Sequence, residues 1–184
     1  MKLKANECVY FYKTKEKYGE LSNMCSGFPL SVNGLKILTS EALYQSLKYP
    51  NNPEIQLNII KQKSPMAAKM VQKPCKNFIR SDWDEVKVKV MYYCLQLKLF
   101  QNYDKFKIIL ESTKNMPIVE KSNKDPFWGA IENNGYFEGN NILGKLLVKL
   151  RDEYIHDKKI MYSVLPLQIK DFKLNGFDIN EILD

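Results

Sequence analysis

Asp82-Trp83-Asp84-Glu85-Val86-Lys87-Val88-Lys89-Val90-Met91-Tyr92-Tyr93-Cys94-Leu95-Gln96-Leu97-Lys98-Leu99-Phe100-Gln101 is the stretch that decides how this chain folds. Its opening fits a capping box, with the Asp82 carboxyl capping and Glu85 reaching back. Behind it Val86, Val90, Tyr93, Cys94 and Leu97 recur at helical spacing, and Met91, Leu95 and Leu99 widen the stripe. So broad an apolar face predicts a central, buried helix ending at about Gln101.

Upstream, Val9-Tyr-Phe-Tyr12 reads as a short strand. Residues 30–38 read as a hairpin, with Asn33-Gly34 supplying the positive φ angles of a type I′ turn. Thr39 or Ser40 caps a helix to about Tyr49, with Glu41 in its first turn. A second helix spans about Pro53 to Gln62, and Ser64-Pro65 opens a third. Downstream, Asp104 caps a helix to Ser112 and Pro117-Ile-Val-Glu120 suits a strand. Residues 122–144 hold four of the eight glycines, several asparagines and Trp128, which predicts a long ligand loop. The helix expected from about Asn141 to Tyr154 would offer its free N–H groups to an anion. The tail after residue 157 is expected to dock on the rest. The pattern as a whole predicts an α+β, predominantly helical fold with a few short strands, in one domain over residues 1–184.

Composition narrows the function. The chain has 184 residues and a net charge of +7, enough for a sizeable core without disulfide or metal staples. No stretch approaches the ~20 apolar residues of a membrane span, so no membrane partner is expected. The first residues lack the apolar run of a secretory signal, and Cys8, Cys25, Cys75 and Cys94 form no clip, which suits reduced thiols in the cytoplasm. The single histidine, His156, sits in a charged segment and reads as solvated. That disfavours Ser-His-Asp, Cys-His and His-based metal chemistry. No metal and no cofactor is expected. Lysine supplies all but two of the 28 basic residues, which suits phosphates better than base-specific DNA reading.

The local segments run in a telling order. Gly19-Glu-Leu-Ser-Asn23 precedes Thr39-Ser-Glu41-Ala-Leu-Tyr-Gln45-Ser-Leu-Lys48, then Ser64-Pro-Met-Ala-Ala-Lys69 and Arg80-Ser-Asp-Trp83. Val119-Glu120-Lys-Ser-Asn-Lys-Asp125-Pro-Phe-Trp128-Gly129 and Gly139-Asn-Asn141-Ile-Leu-Gly144 follow. The series, over about residues 11–151, resembles the NADAR family, named for NAD and ADP-ribose. The resemblance implies a helix-rich domain that binds an ADP-ribose-type ligand. It implies an N-glycosidase or ADP-ribosyl glycohydrolase acting on the ribose C1–N bond. The expected substrate is ADP-ribosylated guanine in DNA, with a toxin transferase as counterpart. The alternatives are phosphorylated riboflavin-biosynthesis intermediates as substrate, or a non-catalytic NAD or ADP-ribose-binding module. The family pattern often carries histidine after each of its two motif glutamates. Ala42 and Lys121 stand there in this chain, which weighs against the riboflavin substrate.

Cleaving a ribose C1–N bond builds positive charge at C1 and negative charge on the departing base. A carboxylate near C1 and a proton donor near the base serve both needs. Glu41 is the first candidate for the ribose side, Asp125 the second polar contact and Glu120 the reserve. Lys48 is a candidate amine nucleophile, provided that it is partly desolvated. Trp83 and Trp128 are candidates for stacking on a base. Tyr12, Asn23 and Asn141 are candidate ligand contacts, and Gly19, Gly129 and Gly144 would permit close backbone approach. The expectation is that Glu41 and Trp128 line one cavity.

Overall fold

The computed structural model describes residues 1–183. In chain order the elements are β1 (Lys2–Lys4), β2 (Val9–Phe11), β3 (Leu30–Val32), β4 (Leu35–Ile37), α1 (Ser40–Ser46), α2 (Pro53–Ile60), α3 (Pro65–Val71) and α4 (Trp83–Gln101). There follow α5 (Tyr103–Ser112), β5 (Ile118–Glu120), β6 (Ile131–Asn133), β7 (Tyr136–Glu138), α6 (Ile142–Arg151), β8 (Ser163–Val164), β9 (Lys173–Leu174), β10 (Phe177–Asp178) and β11 (Ile182–Leu183). The fold is α+β and predominantly helical. The chain divides into two compact units, one of residues 26–102 and 161–184, the other of residues 1–25 and 103–160.

The first of these units is built on α4. Val86, Val90, Met91, Tyr93, Cys94, Leu95, Leu97 and Leu99 are all buried, as the stripe predicts. Each such side chain contributes about 1.5–3 kcal/mol. Lys98 is buried with them, its ammonium 4.6 Å from the Phe28 ring centroid. The expected capping box does not form. Asp82 makes no side-chain cap, because its carboxylate is taken by Arg80 through Nε at 2.6 Å and Nη2 at 2.9 Å. A bidentate charged pair outcompetes a single backbone N–H for the same oxygens.

Helices α1, α2 and α3 pack on one another, and α1 packs on α4. The expected caps hold at Thr39 and Ser64, whose side chains accept from Ala42 N and Ala67 N. The β3–β4 hairpin turns at Asn33 and Gly34, with φ 50° and 73°. The Asn33 side chain has a second task. Its Nδ2 donates to the carbonyls of Leu174, Phe177 and Asp178 at 3.1, 3.2 and 3.3 Å, pinning the tail. Gln56, fully buried, donates to the Lys173 carbonyl at 3.0 Å and accepts from Asn175 N at 2.7 Å. Phe172 meets Tyr93 edge-on at 5.0 Å.

In the other unit β2 pairs in parallel with β5, and β7 lies between β1 and β6. Cys8, Val119, Ala130 and Phe137 form its apolar centre. Helix α6 packs on β5 and α5. Two expectations need correction. Asp104 lies inside the first turn of α5, which begins at Tyr103, and does not cap it. Residues 122–144 are not one open loop. The second half folds into the β6–β7 hairpin, turning at Asn134 and Gly135 with φ 48° and 79°, and β1 extends it to three strands. The asparagine–glycine turn chemistry was visible, but the strand partner at residues 2–4 was not.

Candidate active site

The densest group of candidate residues lies on α1 and the start of α4. The Thr39 cap places Glu41 in the first turn of α1, and Gln45 falls four residues on, one turn along the same face. Gln45 Nε2 donates to Glu41 Oε1 at 2.7 Å. Both are buried, at 7% and 4% exposure. Burying a carboxylate costs several kcal/mol unless partners are arranged around it. The orphan atoms here are therefore informative. Gln45 Oε1 and Ser40 Oγ are buried with no hydrogen-bond partner among the described residues. Below them the Cys94 thiol is pushed well up by burial and then by the Glu41 charge, which keeps it protonated.

Lys48 completes the group. Helix α1 ends at Ser46 rather than at about Tyr49, so Lys48 lies just beyond it. It is nevertheless within reach of the Glu41 field. Its Nζ lies 5.8 Å from the Tyr44 ring centroid and 5.6 Å from that of Trp83. The two rings are themselves 5.1 Å apart at 51°. Burial among these rings holds the Lys48 ammonium below the usual lysine range; Glu41 opposes this and Lys69 adds to it. The desolvation that an amine nucleophile requires is thus present. Trp83 is half-buried and packs on Tyr44, so it belongs to this group.

The remaining candidates lie in the other unit. Asp125 is exposed, and its Oδ1 accepts from Phe127 N at 2.9 Å and Trp128 N at 3.0 Å. Trp128 is half-buried and meets Phe127 edge-on at 5.1 Å. The start of α6 does not offer an open anion site. Asn141 N, Ile142 N and Leu143 N donate to the carbonyls of Gly129, Phe127 and Trp128 at 3.0, 3.1 and 3.0 Å. The Trp128 loop itself thus closes the helix end. Asn141, at φ 49°, spends both ends of its amide on β5, donating to Ile118 O at 2.8 Å and accepting from Glu120 N at 3.0 Å.

The glycines allow close approach, but of the chain to itself. A Cβ at Gly144 would stand 2.1 Å from Ile118 O, at Gly129 2.5 Å from Glu120 O, and at Gly19 2.4 Å from Thr14 O. Tyr12 is exposed, accepts from Asn123 Nδ2 at 2.9 Å, and lines a cavity of about 410 Å³ with Tyr10, Tyr18 and Lys17. Asn23 is buried, and Glu120 is half-buried at the end of β5.

Sequence reasoning assigned no role to Gln45 and Tyr44. The Glu41/Gln45 spacing of four residues was the available signal for the first, since such pairs meet on a helix. Nothing marked Tyr44 as the partner of Trp83. His156 is exposed, with Nδ1 3.2 Å from Asp152 Oδ1, and all four cysteines are free. Among the described residues no three His, Cys, Asp or Glu side chains are grouped to hold a metal ion, and no helix is long and apolar enough to cross a membrane.

A helix-rich α+β protein with a buried, amide-held glutamate beside a lysine–tyrosine–tryptophan stack is the class that fold and side chains define. A sequence model of the NADAR domain matches residues 10–154, and the chain belongs to that family. The N-glycosidase YbiA of Escherichia coli (strain K12) is 31% identical over 150 residues, covering 82% of this chain and 90% of YbiA. The NMR structure of E. coli YbiA matches with a TM-score of 0.68 and 32% identity over 83% of this chain and 88% of that one. The riboflavin biosynthesis protein VVA0006 of Vibrio vulnificus (strain YJ016) is 29% identical over 177 residues, 92% of this chain but 46% of that protein.

Proposed function

We propose that this chain is an N-glycosidase that hydrolyses the ribose C1–N bond of an ADP-ribose conjugate, with ADP-ribosylated guanine in DNA as its substrate. The observation that carries the reading is the Glu41 group: a carboxylate buried beside an unsatisfied amide oxygen, an aromatic pair and a desolvated lysine. Homology to an N-glycosidase over most of the chain supports the reaction type.

In this reading Glu41 faces the ribose and stabilises the positive charge that develops at C1 and the ring oxygen. Gln45 fixes the carboxylate with Nε2 and turns Oε1 toward a ribose hydroxyl, the donor that this oxygen lacks. Trp83 and Tyr44 give the flat base an aromatic wall. Water then adds to C1 while the departing guanine nitrogen gains a proton. Lys48 supplies a covalent variant: its nitrogen bonds to C1 as the C1–N bond to the base breaks, ring opening gives an imine, and water hydrolyses it. Asp125 and Trp128 are assigned to ligand contact from their motif alone.

The test is incubation with ADP-ribosylated DNA, reading freed ADP-ribose. Wild type is expected to release it and Glu41→Gln is not. A Glu41→Gln protein as active as wild type would overturn the assignment. Borohydride decides the lysine route: an adduct trapped in wild type and absent in Lys48→Ala supports it, whereas an active enzyme that traps nothing rejects it. A second reading is favoured by the matches to riboflavin biosynthesis proteins. It predicts base release from a phosphorylated ribosylamine and none from DNA.

A further inference from the structure

From Ile55 to Ile79 the chain carries five lysines, Lys61, Lys63, Lys69, Lys73 and Lys76, and no aspartate or glutamate. All five are exposed, and none has a carboxylate partner among the described residues. Other lysines are neutralised locally: Lys2 by Glu138, Lys87 by Asp84, Lys121 by Glu132 and Lys173 by Asp171. The strip begins with Lys61 at the end of α2 and Lys63 in the α2–α3 connection, and continues with Lys69 on α3 and with Lys73 and Lys76 on the 3-10 turn Lys73–Phe78. Apolar side chains stand among its charges. Met66 and Met70 are exposed one turn apart on α3, and Phe78 is 57% exposed.

The strip is fastened to the Glu41 group. Arg80 N donates to the Lys48 carbonyl at 2.9 Å, and Tyr49 Oη donates to Gln72 Oε1 at 2.6 Å. Lys69 lies close enough to Lys48 for its charge to act there.

We propose that this strip binds a single strand of nucleic acid flanking the modified base, with the lysines on successive phosphates and Phe78 against a base. Five unpaired cations exceed what the diphosphate of one ADP-ribose can engage, so the complementary ligand is a polyanion. Lysine point charges neutralise a backbone without reading sequence, and exposed aromatic rings stack on any base. A membrane surface fits less well, because α3 has seven residues, too few to present a continuous apolar face. The inference deepens the DNA reading of the same site, and its binding test needs no turnover.

The experiment measures anisotropy of a labelled, unmodified oligodeoxynucleotide of about 15 nucleotides, the scale of one strand-binding site, across a salt series. Wild type is expected to show a log–log salt slope of about −3.5, from roughly −0.7 for each of the five phosphates contacted. The K63E/K73E/K76E variant is expected to flatten that slope by about 2 and to lose more than about tenfold in affinity at low salt. Phe78→Ala is expected to weaken single-strand binding about tenfold with the slope unchanged. These side chains are exposed, so an unchanged melting curve checks the fold. No wild-type binding at low salt overturns the proposal, as does a charge-reversed variant that binds like wild type. It is also overturned if vesicles containing phosphatidylserine bind and the substitutions abolish only that. Turnover on ADP-ribosylated guanosine separates the two claims. Strand binding without turnover leaves the strip standing and removes the ADP-ribosylated-guanine reading. Turnover by wild type that survives in K63E/K73E/K76E supports the strip as a surface apart from the chemistry; its loss there overturns that separation.

Discussion

Glu41 and Asp125 stand in comparable sequence motifs, yet the structure treats the two carboxylates in opposite ways. Glu41 is buried and held by one side-chain amide, beside polar atoms that lack partners. Asp125 is exposed, and one of its oxygens already serves two backbone N–H groups of its own turn. The first arrangement spends folding energy to keep a carboxylate out of water beside an amide oxygen and a hydroxyl that lack partners. The second uses a charge to shape a loop. A motif carboxylate is distinguished less by its neighbours in sequence than by what its oxygens are already doing.

The contrast can be broken or sharpened by substitution. The largest effect is expected for Glu41→Gln, which keeps the volume and removes the charge: turnover should fall about a thousandfold, within the range for a positioned carboxylate, with melting temperature little changed. Gly144→Ala should act on stability instead. Its Cβ would sit 2.1 Å from Ile118 O, inside any tolerable contact. A loss of about 3 kcal/mol is expected, or a fall in Tm of about 10 °C by calorimetry. Gln45→Ala frees Glu41 to reorient, and kcat should drop roughly ten- to a hundredfold with less change in KM. Equal kcat in that variant would show that Glu41 needs no positioning amide.

Asp125 gives a smaller and more discriminating effect. Asp125→Asn keeps the acceptor oxygen and should preserve the turn, whereas Asp125→Ala should cost about 1 kcal/mol in denaturant melts. If the Asn variant loses turnover with its stability intact, the exposed carboxylate has a chemical duty and the contrast with Glu41 collapses. The smallest effect appears only in alkali. Burial pushes the Tyr49 hydroxyl up to about 12 from its ordinary 10.0. The folded state therefore holds this proton where the unfolded chain has released it. Its contribution is complete below about pH 10 and is lost as pH rises toward 12. Tyr49→Phe should flatten that part of the stability profile, measured by chemical denaturation at several pH values.

Much of this was legible beforehand, for identifiable reasons. The α4 stripe, the Asn33-Gly34 turn and the Thr39 and Ser64 caps depend on residues within a few positions of one another, so local pattern suffices. The misses depend on distant or competing partners. Arg80 took the Asp82 carboxylate from the cap, and β1 reached the β7 edge from more than a hundred residues away. The end of α6 was closed by carbonyls of the preceding loop, which no residue type announces. In the candidate site Glu41, Lys48 and Trp83 were named from the motif series and do stand together. Tyr44 and Gln45, which join them, were hidden because an aromatic or amide on a buried helix face reads first as packing.

The Asn33 side chain sets a chemical clock for the chain end. An asparagine followed by glycine is prone to succinimide formation and slow conversion to aspartate. Here that conversion would replace a donor by an anion facing the oxygens of Leu174, Phe177 and Asp178. Aged preparations should therefore shed their last residues to trypsin faster than fresh ones, in step with the acidic isoform seen by isoelectric focusing, and Asn33→Asp should show the same sensitivity from the outset.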